Sequence, residues 1–272
     1  MQTVLTWVKR IIFAIVGLIG LIMLIFVGII LFDAAFGSES TELTNVTYQG
    51  TDGSTLHGYL ATPDGPGPHP AVLLIHEWWG LNEGIIVLAD ALAEEGYVVL
   101  AADAYRGEVT SLFPRALWLR VTTPPQQIFD DVDAALDHLL AVDNVNTKHV
   151  ASMGFCFGGG QSLQLGMRQS EKLAATIMYY GAVVTDLEIL RASIPAGPVF
   201  GIFGEEDQQI LAADVLEFEA NLNSLAIENE ITIYSGVGHG FLNEENYNQP
   251  GTPMDAWQQT LRFLNETMPP AS

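Results

Sequence analysis

Cysteine and positive charge are what this sequence has least of. Its 272 residues include one cysteine, Cys156, and ten Lys and Arg against 32 Asp and Glu, for a formal net charge of −22. A single cysteine excludes an internal disulfide, so the fold must depend on its apolar core. The negative surface disfavours nucleic acid and anionic lipid headgroups, because both carry phosphate charge. Repeats and low-complexity tracts are also absent from the sequence.

Charge is missing altogether from residues 11–32, where nearly every side chain is aliphatic or Phe. As a helix this run would be about 33 Å long, enough to cross a bilayer core of about 30 Å. The alternative is a cleavable secretory signal, but such signals have apolar cores of about 7–15 residues and a small-residue cleavage site. Asp33-Ala34-Ala35-Phe36 matches that site poorly. We therefore predict an uncleaved membrane anchor at residues 11–32.

The charges on either side of this run predict its orientation. Lys9 and Arg10 precede it, whereas Asp33, Glu39 and Glu42 follow it. Because positive flanks stay in the cytoplasm, we expect a single-pass protein of the cell membrane with an extracytoplasmic body. Residues 1–10 then form a cytoplasmic stub. Residues 33–42 are predicted as a linker and residues 43–268 as one catalytic domain.

The body of the chain alternates between short apolar runs and amphipathic segments. The pattern predicts a hairpin of residues 43–49 and 56–61 about Asp52-Gly53. It predicts a loop over the proline-rich residues 63–70. Strands are predicted at residues 71–75, 98–102, 150–154, 174–180, 199–203 and 230–234, and helices at 83–95, 124–141, 158–169, 211–225 and 253–267. This alternation predicts an α/β fold, a mostly parallel sheet with helices on both faces.

The lone cysteine stands where an apolar strand meets a helix, in Gly154-Phe155-Cys156-Phe157-Gly158. Small residues two before and two after the central residue allow the sharp turn of a nucleophile elbow. The following helix aims its N-terminus at the thiol, which favours a thiolate. A lone cysteine is more commonly a small buried hydrophobe. The flanking glycines at a strand-to-helix junction favour a nucleophile here.

A thiol nucleophile requires a base and an acid that orients the base, in the chain order nucleophile, acid, histidine. His239 lies between glycines in a loop after the last strand, whereas its alternative role is that of an ordinary surface histidine. For the acid we favour Asp207, which follows the strand at 199–203. Glu205 and Glu206 in the same loop remain alternatives.

A third loop, His76-Glu77-Trp78-Trp79-Gly80, follows the first buried strand. It begins like the zinc motif H-E-x-x-H, but Gly80 replaces the second histidine, so we expect no metal here. This loop is where the second oxyanion N–H of such a site arises. We predict an oxyanion hole from the backbone N–H groups of Trp78 and Phe157. Glu77 is a candidate second proton acceptor, and the Trp78 side chain a candidate substrate contact.

Taken together, these motifs resemble the dienelactone hydrolase family (carboxymethylenebutenolidases) of α/β-hydrolases over residues 43–268. The resemblance rests on the cysteine turn and on His76-Glu77-Trp78-Trp79-Gly80, Ala102-Asp103-Ala104-Tyr105-Arg106, Gly204-Glu205-Glu206-Asp207 and Gly238-His239-Gly240-Phe241. It implies a Cys156–His239–Asp207 triad whose thiol rests neutral towards Glu77 until substrate displaces that contact. It also implies that Arg106 helps to hold the glutamate and a substrate carboxylate, and that no cofactor is needed.

One position departs from the family pattern. The family has a second arginine four residues after the catalytic histidine, where this chain has Asn243. Loss of a carboxylate anchor places dienelactone itself in doubt as the substrate. We therefore expect hydrolysis of a small-molecule lactone or activated ester. The alternatives are a thioesterase or other acyl hydrolase on the same triad, or a catalytically silent membrane-anchored binding protein.

Overall fold

A computed structural model describes residues 2–270 of the chain. These residues form one eight-stranded sheet flanked by helices. The strands are β1 (Val46–Gln49), β2 (Thr55–Ala61), β3 (His69–Ile75), β4 (Val98–Ala102), β5 (Val145–Phe155), β6 (Ala175–Tyr179), β7 (Val199–Gly204) and β8 (Asn229–Tyr234). The helices are α1 (Gln2–Phe36), α2 (Glu83–Glu94), α3 (Phe113–Thr122), α4 (Pro125–Leu140), α5 (Phe157–Arg168), α6 (Leu187–Ala192), α7 (Ala212–Ser224) and α8 (Thr252–Thr267).

The sheet has the order β1-β2-β4-β3-β5-β6-β7-β8. β1 pairs antiparallel with β2, and β2 antiparallel with β4, whereas every pair from β4 to β8 is parallel. The predicted hairpin and the predicted mostly parallel sheet are both confirmed. Because the carboxyl ends of parallel strands lie at one edge, the loops after β3, β5, β7 and β8 meet there.

The strands at the centre are mostly apolar because both faces of the sheet are covered. Along β3, Val72 and Leu74 pack on the side of α2 and α8, whereas Leu73 and Ile75 pack on the side of α4. Every residue of β3, β4 and β6 is buried. This rigid layer fixes the positions from which the loop residues project.

The structure differs from the sequence-based prediction in a few elements. α3 and α6 were not predicted, and the run at 63–70 is not loop to its end, because His69 and Pro70 already belong to β3. Hydrophobic periodicity does not predict α3, because its large apolar side chains point outward rather than to the core. Among them, Phe113, Trp118 and Val121 are exposed.

The N-terminal helix α1 includes an apolar stretch, Lys9–Phe36, that is long and apolar enough to cross a membrane by length and composition. A signal sequence would meet the same criterion. Where the exposure of α1 is described, all but four of its residues are exposed, and the exceptions Phe26, Ile29, Ile30 and Asp33 lie on one face near its end. α1 packs there against α3.

The predicted linker is docked on the domain rather than free. Ser40 begins a short 3-10 helix (Ser40–Glu42), is fully buried, and donates a hydrogen bond to Asp103 at 2.6 Å. The same carboxylate accepts from the backbone N–H groups of Tyr105 and Gly107. The chain therefore passes from α1 into the domain along a fixed path.

Candidate active site

Cys156 stands at the junction of β5 and α5 with φ of 53°, a conformation that is strained for a residue other than glycine. The turn is tight enough that a Cβ on Gly154 would lie 2.2 Å from the carbonyl oxygen of Gly158. A Cβ on Gly158 would lie 2.1 Å from the carbonyl oxygen of Ile75. The glycines of the elbow are thus required by close backbone approach, and their absence of side chains lets the thiol project from the sheet edge.

The structure brings together the three residues of the predicted triad. His239 Nε2 lies 3.0 Å from Cys156 Sγ, and His239 Nδ1 lies 2.7 Å from Asp207 Oδ2. The ring thus bridges a nucleophile and an acid, with one nitrogen free to accept the thiol proton when the other donates to the carboxylate. This arrangement is the one that nucleophilic acyl transfer requires.

The geometry separates Asp207 from the two alternative acids of its loop. Asp207 is 2% exposed, and its second oxygen accepts from the backbone N–H groups of Gln209 and Ile210 at 2.7 and 3.0 Å. Glu205 and Glu206 point to solvent. The fixed carboxylate holds the imidazole in the orientation that faces the thiol.

The predicted oxyanion residues also converge on the thiol. The backbone N–H groups of Phe157 and Trp78 act on the Cys156 sulfur to lower its pKa. Burial and then the charge of Glu77 outweigh them and raise the pKa of Cys156 to about 12. The thiol is therefore neutral at pH 7, and the two N–H groups are directed to the place where negative charge would develop.

Glu77 lies beside this site in an electrostatically unfavourable setting. Burial, and next the charge of Glu244, raises the pKa of Glu77 to about 7. Its carboxylate lines a small cavity with Tyr180, Asn243 and Glu244. A carboxyl group that titrates near neutrality can accept or hold a proton, which is the property expected of a second acceptor.

His76 is occupied by backbone contacts rather than by a site role. Its Nε2 accepts from the N–H of Ala104 at 3.1 Å, so Nδ1 carries the proton and donates to the carbonyl of Glu77 at 2.5 Å. The imidazole therefore ties the loop after β3 to the loop after β4. Within residues 2–270, no cluster of three or more His, Cys, Asp or Glu side chains is arranged to hold a metal ion.

Arg106 is not brought to the site as the resemblance implied. Its guanidinium donates to Asp131 at 2.6 and 2.7 Å and to Asp52 at 3.0 Å, and within the described residues it forms no hydrogen bond to Glu77. The reason is positional, because α4 and the β1–β2 turn place two carboxylates around it. The structure therefore does not show the expected contact between Arg106 and Glu77, and the role of Arg106 towards a substrate carboxylate stays a prediction.

Three residues near the site were missed by sequence reasoning. Tyr180 lies edge-on to the His239 ring at 5.1 Å and donates to the carbonyl of Leu242 at 2.7 Å, which supports the histidine loop. Its position just after β6, at the edge where the other strand ends meet, could have indicated a place at the site. Arg120 of α3 and Glu244 had no such signal, since each belongs to a segment with no motif.

Comparison with known proteins gives a consistent result. The sequence profile of the Dienelactone hydrolase family matches residues 56–268. "Protein usf" of Aquifex pyrophilus is 31% identical over 225 residues, which cover 79% of this chain and 95% of the relative. A protein of Aquifex aeolicus (strain VF5), named as a candidate carboxymethylenebutenolidase, is 30% identical over 222 residues and covers 78% and 94%.

Among solved structures, a dienelactone hydrolase-like promiscuous phosphotriesterase from metagenomic libraries superposes with a TM-score of 0.70 at 22% identity. The alignment covers 82% of this chain and 98% of that structure. At this identity the likeness concerns the fold alone, and it agrees with the α/β-hydrolase fold expected from the sequence. The family profile begins at residue 56 and therefore does not include α1.

Proposed function

Since this chain belongs to the dienelactone hydrolase family of α/β-hydrolases, we propose that it hydrolyses a lactone or activated ester through a thiol–acyl intermediate on Cys156. The observation that carries the proposal is the His239 imidazole, which bridges Cys156 Sγ at 3.0 Å and Asp207 Oδ2 at 2.7 Å. A family member without this bridge would have the fold but no activated nucleophile.

In this mechanism His239 Nε2 takes the thiol proton as Cys156 Sγ attacks the carbonyl carbon. The N–H groups of Trp78 and Phe157 stabilise the oxyanion of the tetrahedral intermediate. The imidazolium then gives its proton to the leaving alkoxide, and a thioester remains. His239 next deprotonates a water molecule, which attacks the thioester and releases the carboxylic acid and the thiol. Glu77 is the alternative acceptor of this same thiol proton, in place of His239.

The charges around the site favour a neutral substrate. Asn243, at the position of the family's second arginine, uses its amide oxygen in a local turn by accepting from the N–H of Glu245 at 2.9 Å. Arg106 is held by Asp131 and Asp52, and Glu244 adds negative charge beside Glu77. A substrate carboxylate would meet the like charge of Glu77 and Glu244 here. We therefore propose a neutral lactone or ester rather than dienelactone.

We further propose that α1 is retained as a membrane anchor with the catalytic domain outside the cytoplasmic membrane. The support is the exposed apolar length of the helix together with the fixed path that follows it. Asp33 at its base lies 4.0 Å from the buried Arg115 of α3. Cleavage near Phe36 would remove this carboxylate and leave the arginine with Glu108 as its partner.

The proposal is tested with the full chain in detergent on a panel of dienelactone, a neutral lactone, an aryl acetate and a thioester. Wild type is expected to turn over the neutral lactone or the aryl acetate, and Cys156→Ala to lose at least about 10³-fold, since the nucleophile is absent. Cys156→Ser is the matched control, because it keeps the shape of the elbow and a hydroxyl in place of the thiol.

Each result has a defined meaning. Equal activity of wild type and Cys156→Ala would overturn Cys156 as the nucleophile. A strong preference for the thioester would favour the alternative of a thioesterase on the same triad. Inactivity on the whole panel, together with an inert Cys156 towards thiol reagents, would favour the silent binding protein.

A further inference from the structure

We propose that the outward face of α3 lies in the membrane interface, so that the candidate active site takes lactones or esters dissolved in the bilayer. This inference rests on the proposed function and on the proposed anchor, and it specifies the class of substrate. It is carried by the exposed side chains of α3, by the contact between α3 and α1, and by the contacts of α3 with both oxyanion residues.

The exposed face of α3 has the composition of an interfacial helix. Phe113, Leu117 and Val121 recur every four residues and are 55%, 36% and 72% exposed, and Trp118 beside them is 48% exposed. The opposite face contains the buried Arg115, Ala116 and Leu119. A soluble domain seldom exposes such a stripe, because apolar area in water costs free energy. Tryptophan is also the side chain that membrane interfaces favour most clearly.

The contact with α1 places α3 at the right depth. If the hydrocarbon core begins after Arg10, about 20 residues fill its roughly 30 Å, so the outer boundary falls near Ile30. The half-buried or buried residues of α1, from Phe26 to Asp33, bracket this level, and α1 packs against α3 there. α3 therefore meets the anchor where hydrocarbon gives way to headgroups.

α3 also forms a wall of the candidate active site. The ring of Phe113 packs edge-on against Trp78 with centroids 5.4 Å apart. At the other end of the helix, the Arg120 guanidinium lies 5.3 Å from the centre of the Phe157 ring. Trp78 and Phe157 provide the two N–H groups at the thiol, so the exposed side of α3 that would contact lipid also borders the reaction site.

The charge of α3 is consistent with a lipid surface as its partner. Residues 113–122 include two arginines and no carboxylate in a chain of net charge −22. The exposed Arg120 lies at the flank of the apolar stripe, where a guanidinium can reach a phosphate headgroup. The remaining acidic surface would be repelled by anionic lipid, so the partner is a zwitterionic bilayer surface. A second copy of the chain on this face is the competing occupant.

The first test measures the depth of α3 with a nitroxide spin label in the full chain, reconstituted in phosphatidylcholine vesicles. Val121→Cys carries the label in a Cys156→Ser background, and Leu216→Cys on α7, which is 56% exposed, is the matched control. The label at 121 is expected to collide more with O₂ than with a water-soluble nickel complex, whereas the label at 216 shows the reverse. Preferential nickel access at 121 would overturn the proposal, and dipolar broadening between labels at 121 would assign the face to a second copy.

The second test compares p-nitrophenyl palmitate dissolved in the vesicles with p-nitrophenyl acetate in water. Val121→Glu is expected to lower hydrolysis of the palmitate by about tenfold, because a charged side chain resists burial among lipid. Hydrolysis of the acetate should not change, and Leu216→Glu should alter neither rate. If wild type hydrolyses acetate but not palmitate, the lipid-dissolved substrate class is wrong. If it hydrolyses neither, the proposed function fails, while the spin-label result still decides the position of α3.

Discussion

At the scale of single residues, the state of the Cys156 thiol is decided by competing electrostatic effects. Burial and the nearby Glu77 raise its pKa to about 12, against the stabilising N–H groups of Phe157 and Trp78. A neutral resting thiol is protected, because oxidants and electrophiles react with the thiolate. Transfer of the proton to His239 then has to accompany attack. This explains how a lone thiol could survive outside the cytoplasm.

The pair Glu77 and Glu244 gives the first prediction at this scale. Because the pKa of Glu77 is raised from 4.5 to about 7, the folded state binds a proton that the unfolded state has released over that range. The contribution of Glu77 to the free energy of unfolding is therefore complete below pH 4.5. It decreases by at most about 3 kcal/mol as the pH rises to about 7. The unfolding temperature of wild type should therefore fall between pH 5 and pH 8 relative to that of Glu77→Gln.

Glu244→Gln is the matched variant, because it removes the second cause of the raised pKa while leaving Glu77 in place. Its loss of stability should be smaller than in wild type and should be complete at a lower pH. A constant difference in unfolding temperature between wild type and Glu77→Gln from pH 5 to pH 8 would contradict this account of Glu77.

At the scale of elements, the junction of β5 and α5 is the most constrained part of the fold. The elbow presses against the end of β3, and the loop that follows β3 provides Trp78. A Cβ on Gly158 would approach the carbonyl oxygens of Ile75 and His76 at 2.1 and 2.6 Å. The same close approach therefore positions Cys156 and Trp78, the proposed nucleophile and one proposed oxyanion donor.

Gly158→Ala is expected to destabilise the fold by more than about 2 kcal/mol and to abolish hydrolysis, because backbone rather than a flexible side chain would have to move. Gly160→Ala two residues along the same helix is the control. Its nearest neighbours lie at 3.3 Å on Ala182, and alanine favours a helix over glycine by about 1 kcal/mol, so little net change is expected. Thermal unfolding of the two variants measures the difference, and similar losses in both would refute the assigned role of Gly158.

At the scale of the whole molecule, the proposed topology makes a prediction from the scarcity of lysine. After the apolar span the only lysines are Lys148 and Lys172, both exposed, and Lys9 precedes the span. In spheroplasts of a bacterial host, a membrane-impermeant amine reagent should label Lys148 and Lys172, because the domain faces outward, but should label Lys9 only after lysis. Peptide mass spectrometry reads each site separately.

Two results would contradict that topology. Protection of Lys148 and Lys172 until lysis would place the domain in the cytoplasm. Release of a shortened chain into the medium would identify α1 as a cleaved signal. The latter result would also remove the basis for placing α3 in the membrane interface.

The sequence by itself determined the features that depend on local physics. Alternating apolar runs predict buried parallel strands because covered strands need no polar face. The glycines around Cys156 predict a tight turn because only glycine permits that backbone approach. Residues 11–32 predict a span because length and hydropathy alone set the criterion. The order of nucleophile, acid and histidine along the chain was enough to predict Cys156 and His239 and to limit the acid to the loop that contains Asp207.

Only the tertiary structure decided what depends on contacts between distant segments. It selected Asp207 over Glu205 and Glu206, since burial and backbone donors reach one carboxylate of the three. It paired Arg106 with Asp131 and placed Glu244 beside Glu77. It also placed α3 in contact with α1 and with Trp78 and Phe157. No motif encodes these choices, because each arises where separate elements meet and their charges and surfaces compete for the same space.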